Sequence, residues 1–319
     1  MNSVHARRER KDTINGTEAA PDGAVYDPHR VRRLRRGVRS PFHHEATKMK
    51  PAFAPRRLLP SAALLACLGA ATPAAFGQAF DVVRNFGAAP GTDGRWVGIA
   101  FVAGRAYQGS EEARNLLLPQ LEYQWANGWF AGTSNGIGYN FSKDPAIDYG
   151  LRATLDFGRS ESRSPALAGM GDIDMRGELG AFFNYSFSRE LVATSSLRYG
   201  AGNSSNGALL NLGATYSTAV APNWRMGAGV SGTWANQAYM ESYFGVTEAQ
   251  STTSGYAPYT PSAGLRDLRA SLSATYLMSP RMVITAAVSY DMLQGSAKDS
   301  PLSLQPNVFS GVVALTYGF

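Results

Sequence analysis

The sequence predicts an all-β fold, a transmembrane antiparallel β-barrel. Three observations carry that prediction: long runs alternate apolar and polar residues with period two, tight and long connections alternate between them, and the last run ends on an aromatic residue.

The clearest run covers residues 147–158. Ile147, Tyr149, Leu151, Ala153, Leu155 and Phe157 alternate with Asp148, Gly150, Arg152, Thr154, Asp156 and Gly158. Successive strand side chains point to opposite faces, so this spacing makes one apolar and one polar face. The next run sets Met175, Leu179, Ala181, Phe183, Tyr185 and Phe187 against Asp174, Arg176, Glu178, Asn184 and Ser186, with Phe182 interrupting the polar face. Comparable runs cover about 95–107, 116–125, 128–140, 191–200, 208–220, 224–235, 265–278, 281–293 and 307–319. Soluble strands usually have about 5–6 residues, whereas crossing a bilayer takes about 9–11 tilted residues. Trp224 and Trp234 are on one face, ten residues apart. Tilted by about 40°, that separation covers about 25 Å, the height of the apolar band on an outer-membrane barrel. Both indoles are therefore expected in aromatic girdles, as are Trp96, Trp125 and Trp129 at other strand ends.

Ser188-Arg189-Glu190, Ala221-Pro222-Asn223 and Ser279-Pro280-Arg281 read as tight turns, and 201–207, 236–264 and 294–304 as longer loops. Short turns belong to the periplasmic side of such barrels and long loops to the outside, which puts the C-terminus in the periplasm. The runs number eleven, and single-chain bacterial barrels have even numbers. About twelve strands are therefore expected, with ten as the alternative. The missing one belongs in the first half, where Asn127-Gly128 and Ser134-Asn135-Gly136 are turn sequences. In the terminal run Val313, Leu315, Tyr317 and Phe319 share one face, a pattern resembling the signal read by the outer-membrane barrel assembly machinery, with Tyr317 and Phe319 as its aromatic elements.

Residues 49–77 read as a secretory signal peptide. Lys50, Arg56 and Arg57 precede an apolar stretch from Leu58 to about Ala71, and the small residues Ala75 and Gly77 mark cleavage after Gly77. The apolar stretch is broken by Pro60 and Pro73 and is shorter than the ~20 residues of a spanning helix. Acylation at Cys67 is the minor alternative. Residues 1–48 are Arg-rich without hydrophobic periodicity and read as a start assigned upstream of the true Met49, or else as a disordered leader. Residues 78–319 form the barrel domain.

The formal charge of +6 is misleading as a whole-chain figure. Of 30 Lys and Arg and 24 Asp and Glu, 14 and 6 precede residue 78, which leaves 16 and 18 in the barrel domain. A slightly acidic domain without a basic stripe is a poor match for nucleic acid. All four histidines and the lone cysteine also precede residue 78. The domain therefore lacks thiolate nucleophiles, disulfides, His or Cys metal ligands and Ser-His pairs, so neither a cofactor nor a catalytic site is expected. A Ser-Lys mechanism would fall on Lys298-Asp299-Ser300, where Ser300-Pro301 reads more simply as a turn.

Several segments resemble the MltA-interacting protein (MipA) / OmpV family of outer-membrane barrels: Tyr107-Gln108-Gly109-Ser110 with Leu118-Pro119, Tyr239 with Tyr243-Phe244-Gly245-Val246, Ser254-Gly255-Tyr256, Gly264, and Asp299-Ser300-Pro301. The similarity runs from about residue 90 to 319. It implies a cell outer-membrane scaffold for murein-synthesising or remodelling proteins, with a lytic transglycosylase and a peptidoglycan synthase as partners, or else a surface adhesion protein. A fold alone does not choose between these. Tyr107, Gly109, Ser110, Tyr243, Phe244, Gly245, Tyr256, Asp299, Ser300 and Pro301 are the candidate partner or loop contacts.

Two features bear on an alternative, the small-solute diffusion pore. Arg152, Asp156, Arg176, Glu178, Arg198, Arg225 and Arg269 lie on the polar face and would point into the lumen, where mixed charges select solutes or pair and fill it. The loop 236–264, with Tyr239, Tyr243, Phe244, Tyr256 and Tyr259, would either meet a partner or fold into the mouth and pack on itself. Glu111, Glu112, Asp172 and Asp174 are hard-cation ligands by type but lie on separate segments.

Overall fold

The computed structural model describes residues 91–319, so the signal peptide, its cleavage site at Ala75 and Gly77, and residues 1–48 lie outside the described residues. Twelve antiparallel strands close into one barrel. They are β1 (Gly94–Arg105), β2 (Ala113–Gln124), β3 (Trp129–Gly132), β4 (Gly136–Asn140), β5 (Ile147–Asp156), β6 (Arg176–Ser186), β7 (Leu191–Ala201), β8 (Gly207–Ala221), β9 (Trp224–Ala235), β10 (Gly264–Ser279), β11 (Met282–Leu293) and β12 (Asn307–Gly318). Consecutive strands pair, and β1 pairs with β12 to close the ring, with Val97 opposite Tyr317 and Phe101 opposite Val313. Closure gives every strand a partner on both sides, which a polar backbone in hydrocarbon requires, although β2 meets β3 only over Glu122–Gln124.

The strand missing from the period-two count is in the run 128–140. It is a hairpin, β3 and β4, turning through Thr133, Ser134 and Asn135. Gly136 sits just past the tip with φ of +73°, and a Cβ there would come within 2.1 Å of the Ala153 carbonyl oxygen. A side chain is excluded there on both grounds.

The alternation sorts the side chains as the sequence implies. Leu151, Leu155, Leu179, Phe183, Leu212, Val230 and Leu272 are exposed on the outer wall, while Arg152, Asp156, Glu178 and Arg269 are buried inside. Trp125, Trp129, Trp224 and Trp234 are exposed at strand ends, where girdle residues belong. Trp96 differs: it shares the face of the buried Ala100 and Val102, so it points into the lumen near the periplasmic end. Its position at a strand end suggested a girdle, but its register puts it inside.

The inner wall carries packed apolar side chains and paired polar ones. Ala100, Val102, Val312 and Ala314 pack together, joined by Leu116, Leu118 and Ala287. Elsewhere charges pair, as in Glu178, which accepts from Arg198 Nη1 at 3.0 Å and Thr154 Oγ1 at 3.1 Å. Arg152 Nη2 donates to Ser196 Oγ at 2.6 Å, and its guanidinium lies over the Phe182 ring. Arg269 pairs with Asp291, and Arg176 donates to Ser205 Oγ at 3.0 Å. Arg225, exposed near the periplasmic end, donates to the Ser217 carbonyl at 3.2 Å. Phe182, the aromatic break in the polar face, lies opposite Gly150, where it fills the space a side chain would take.

Candidate functional site at the closed outer mouth

The connections at 106–112, 157–175, 202–206, 236–263 and 294–306 all leave the same end of the barrel as the β3–β4 tip. Their length marks it as the outer end. The segment 236–263 folds into this mouth. It forms two helices, α1 (Gln237–Phe244) and α2 (Glu248–Ser254), and the β11–β12 connection contributes the short helix α3 (Gly295–Lys298).

Local sequence explains both of the longer helices. Asn236 caps α1 by accepting from Tyr239 N, and the Gly245 amide closes it on Glu241 O. Thr247 and Gln250 form a reciprocal capping box at the start of α2, and Gly255 ends it in the left-handed conformation. The buried face of α1 is Tyr239, Met240, Tyr243 and Phe244. It packs with Ile173, Ala201, Leu209, Ala235, Leu293 and Ala297, which come from six other segments of the wall and mouth. Isolated helices this short are marginal, so this packing is what holds α1.

Polar bonds fix the plug at depth. The buried carboxylate of Asp156, at the outer end of β5, accepts the Tyr243 hydroxyl at 2.6 and 2.7 Å and the Gly202 amide at 3.0 Å. Arg159 Nη1 donates to the Tyr243 carbonyl at 2.9 Å. Arg266, fully enclosed and paired with Asp267, donates to the Tyr239 hydroxyl at 2.9 Å. The rings of Tyr239 and Tyr243 stack with centroids 4.5 Å apart.

The candidate residues quoted from the sequence meet here. Tyr107 is buried against Ala106, Leu167, Met170, Val246 and Leu302, with Tyr256 and Tyr259 packed alongside. Gly109, at φ +89°, approaches Ser303 so closely that a Cβ would lie 2.8 Å from its Cα, and its carbonyl accepts Gln305 N. The hydroxyl of the buried Ser110 accepts from Glu112 N. Ser300 Oγ donates to the Phe244 carbonyl at 2.6 Å and accepts from Leu302 N, so the hydroxyl singled out for a Ser-Lys mechanism braces the end of α1. Asp299 ends α3, donating its amide to Gly295 O, and Pro301 follows in the same turn. The aromatic residues Tyr239, Tyr243 and Phe244 pack into the barrel mouth, the inward of the two arrangements open to this loop. Sequence reasoning did not single out Arg159 or Arg266 and read Asp156 only as a lumen charge. Asp156 and Tyr243 are 87 residues apart, and no local pattern links them. Among the described residues no three acidic, His or Cys side chains gather at one point, so Glu111, Glu112, Asp172 and Asp174 form no common site.

Burial pushes the Tyr107 and Tyr239 phenols up to about 12. Tyr243 is raised further, by burial first and then by Tyr239 and the Asp156 carboxylate. Free phenols titrate near 10, so all three stay neutral in the folded mouth after an unfolded segment would have lost its protons. Their contribution is complete below about pH 10; that of Tyr107 and Tyr239 is lost as pH rises through about 12, and that of Tyr243 only at higher pH still. We expect the melting midpoint to fall above pH 10, with a shallower fall in the Tyr239→Phe/Tyr243→Phe variant. Identical alkaline slopes in the two proteins would show that the phenols are not responsible.

A family model described as "MltA-interacting protein MipA" matches residues 97–319. No curated protein matches the chain. Solved structures with similar architecture include the NanC porin (12% identity, TM-score 0.41, covering 70% of this chain and 98% of that one). Two others are the KdgM porin (10%, 0.38, covering 70% and 99%) and the toluene transporter TodX of Pseudomonas putida (10%, 0.35, covering 78% and 98%). The family match takes in every strand from β2 onward and nearly all of β1, together with all five connections at the mouth, and the chain belongs to the MltA-interacting protein MipA family of outer-membrane barrels.

Proposed function

We propose that this protein is a non-enzymatic scaffold of the outer membrane, which gathers murein-synthesising and remodelling proteins at its periplasmic end. The observation that carries this reading is the plugged mouth: the inward face of α1, Tyr239, Met240, Tyr243 and Phe244, is buried, and the helix is latched by Asp156, Arg159 and Ser300. A diffusion pore needs an open path, whereas a scaffold tolerates a blocked one. The family's description supports a lytic transglycosylase as one partner, and the resemblance noted in the sequence adds a peptidoglycan synthase. Surface adhesion fits less well, because the aromatic residues that would serve it are turned inward.

A periplasmic partner would meet the short turns, where Lys143, Asp144, Arg189, Asn223 and Arg281 are exposed. The terminal strand, with Tyr317 and Phe319 facing outward, is proposed as the element the barrel assembly machinery reads.

Planar bilayers and envelope cross-linking separate the two classes. The expected result is electrical silence together with recovery of a lytic transglycosylase, reduced severalfold by the triple variant Lys143→Glu/Arg189→Glu/Arg281→Glu. Large steady conductance that changes with Arg152→Ala would overturn the scaffold in favour of the pore.

A further inference from the structure

Near the periplasmic end, the lumen wall formed by β3 to β6 gathers two phenylalanines, two asparagines and an aspartate. Arg152 and Glu178 point inward, so strand alternation turns Asp148 and Gly150 of β5 and Phe182 and Asn184 of β6 the same way. Asn140 of β4 joins them through a hydrogen bond to Asp148, and Phe130 of β3 through a ring contact with Phe182, centroids 5.8 Å apart. Phe130, Asn140, Asp148, Phe182 and Asn184 are all partly exposed, and because they face inward that exposure is to the lumen. Asp148 is the second residue of β5, and Phe182 lies four residues before the end of β6. At about 3.3 Å per residue and a tilt of about 40°, the patch is within about 10 Å of the periplasmic rim.

Two glycines lay the rings along the wall. Gly138 is paired with Phe130 and Gly150 with Phe182. A Cβ on Gly138 would lie 2.4 Å from Phe130 Cζ, and one on Gly150 would lie 2.7 Å from Phe182 Cζ. Each ring therefore reaches across the bare backbone of the neighbouring strand, and together they make an apolar platform with no polar group of its own.

Beside the platform runs a polar row whose orientation is fixed. Asn140 Oδ1 accepts Ser142 N at 2.9 Å and Asn184 Oδ1 accepts Ser195 N at 3.3 Å, which leaves both side-chain nitrogens to face Asp148. Asn140 Nδ2 donates to one carboxylate oxygen of Asp148, and Asn184 Nδ2 donates to the other at 2.9 Å. An NH2 group has two hydrogens and a carboxylate about four acceptor positions. Each asparagine thus keeps one free donor and Asp148 keeps free acceptor positions, in the order donor, acceptor, donor. Carbohydrates are recognised by this combination: the C–H side of a pyranose packs on aromatic rings, and its polar substituents bond to planar amides and carboxylates. An acetamido substituent, with one N–H and one carbonyl, matches a carboxylate flanked by amide donors. The outer mouth is plugged by α1, so such a ligand would enter from the periplasm.

We propose that this patch is a glycan-binding site open to the periplasm, which takes an N-acetylated amino-sugar unit: Phe130 and Phe182 carry the pyranose, Asp148 accepts the acetamido N–H and Asn184 donates to its carbonyl. The scaffold reading is needed only to name the source of that sugar, the murein strand. Titration calorimetry of the purified mature barrel in detergent tests the site, with a β-1,4-linked N-acetylglucosamine tetramer set against the glucose tetramer of the same linkage. The acetamido oligomer is expected to bind, and the glucose oligomer at least about tenfold more weakly, the equivalent of about 1.4 kcal/mol. Phe130→Leu/Phe182→Leu and Asp148→Ala should each weaken binding by a similar factor with heat-modifiable migration intact. Saturation-transfer NMR on the parent barrel needs no variant and should mark the pyranose C–H and acetamido methyl protons most strongly. Absence of binding, equal affinity for the two tetramers, unchanged affinity in both variants, or displacement of the sugar by a murein stem peptide alone would each overturn the proposal. The purified barrel has no partner protein present, so these outcomes are read separately from recovery of a transglycosylase.

Discussion

Replacing Phe244 with alanine is expected to release the outer plug while leaving the barrel closed. Phe244 is fully buried at the end of α1, and its carbonyl accepts the Ser300 hydroxyl. Large-to-small changes at such sites cost about 3–5 kcal/mol, the lost transfer energy plus the cavity left behind. An eight-residue helix has no stability of its own to set against that. The loss falls on a locally unfolding unit, because the strands' hydrogen bonds do not depend on α1. Limited proteolysis should therefore cut within 236–263 in the variant and not in the parent, while heat-modifiable gel migration is unchanged. A variant that resists protease as the parent does would show that the plug is held elsewhere.

Glu178→Ala should destabilise the barrel itself. Glu178 is 1% exposed and is the shared acceptor for Arg198 and Thr154. Removing one partner of a buried pair strands the other charge, typically at a cost of about 3–5 kcal/mol. Arg198 keeps a quarter of its side-chain exposure, which lets lumen water compensate and points to the lower end, about 3 kcal/mol. Replacing both partners, Glu178→Met/Arg198→Met, should recover most of the loss, because no uncompensated charge remains. Urea unfolding in detergent, read as a double-mutant cycle, measures the coupling. A single variant no less stable than the double would mean the pair adds nothing.

The outer wall was legible in the sequence because one physical rule governs it: lipid requires an apolar residue at every second position. The β3–β4 hairpin escaped for the same reason. Its turn has an odd number of residues, Thr133 to Asn135, so Trp129, Ile137 and Tyr139 stay in phase and the two strands read as one. Trp96 was misplaced because nearness to a strand end says nothing about which face a residue takes, and its face is fixed by its pairing with Gly318 and Glu122. The mouth was legible as a set of segments but not as a site. Tyr107, Tyr243 and Ser300 stood out one by one, whereas the contacts uniting them join residues scores of positions apart, set by the barrel's circumference. Arg159 and Arg266 carry no local signature: in sequence each is a charge near a strand end, and only the closed ring turns it toward α1.

The seam between β1 and β12 bears on how this chain is made. Every other pairing joins consecutive strands and can form as a local hairpin, at little loop-closure cost. The seam alone joins the two ends of the domain, so it cannot form until the last residues have been synthesised and exported. Until then the growing sheet has two open edges, β1 at one side and the latest strand at the other, and each is a template for pairing with another chain. Escort through the periplasm and closure at the membrane are thus obligations imposed by connectivity. They fall on the whole sheet at once, whatever the mature barrel goes on to bind.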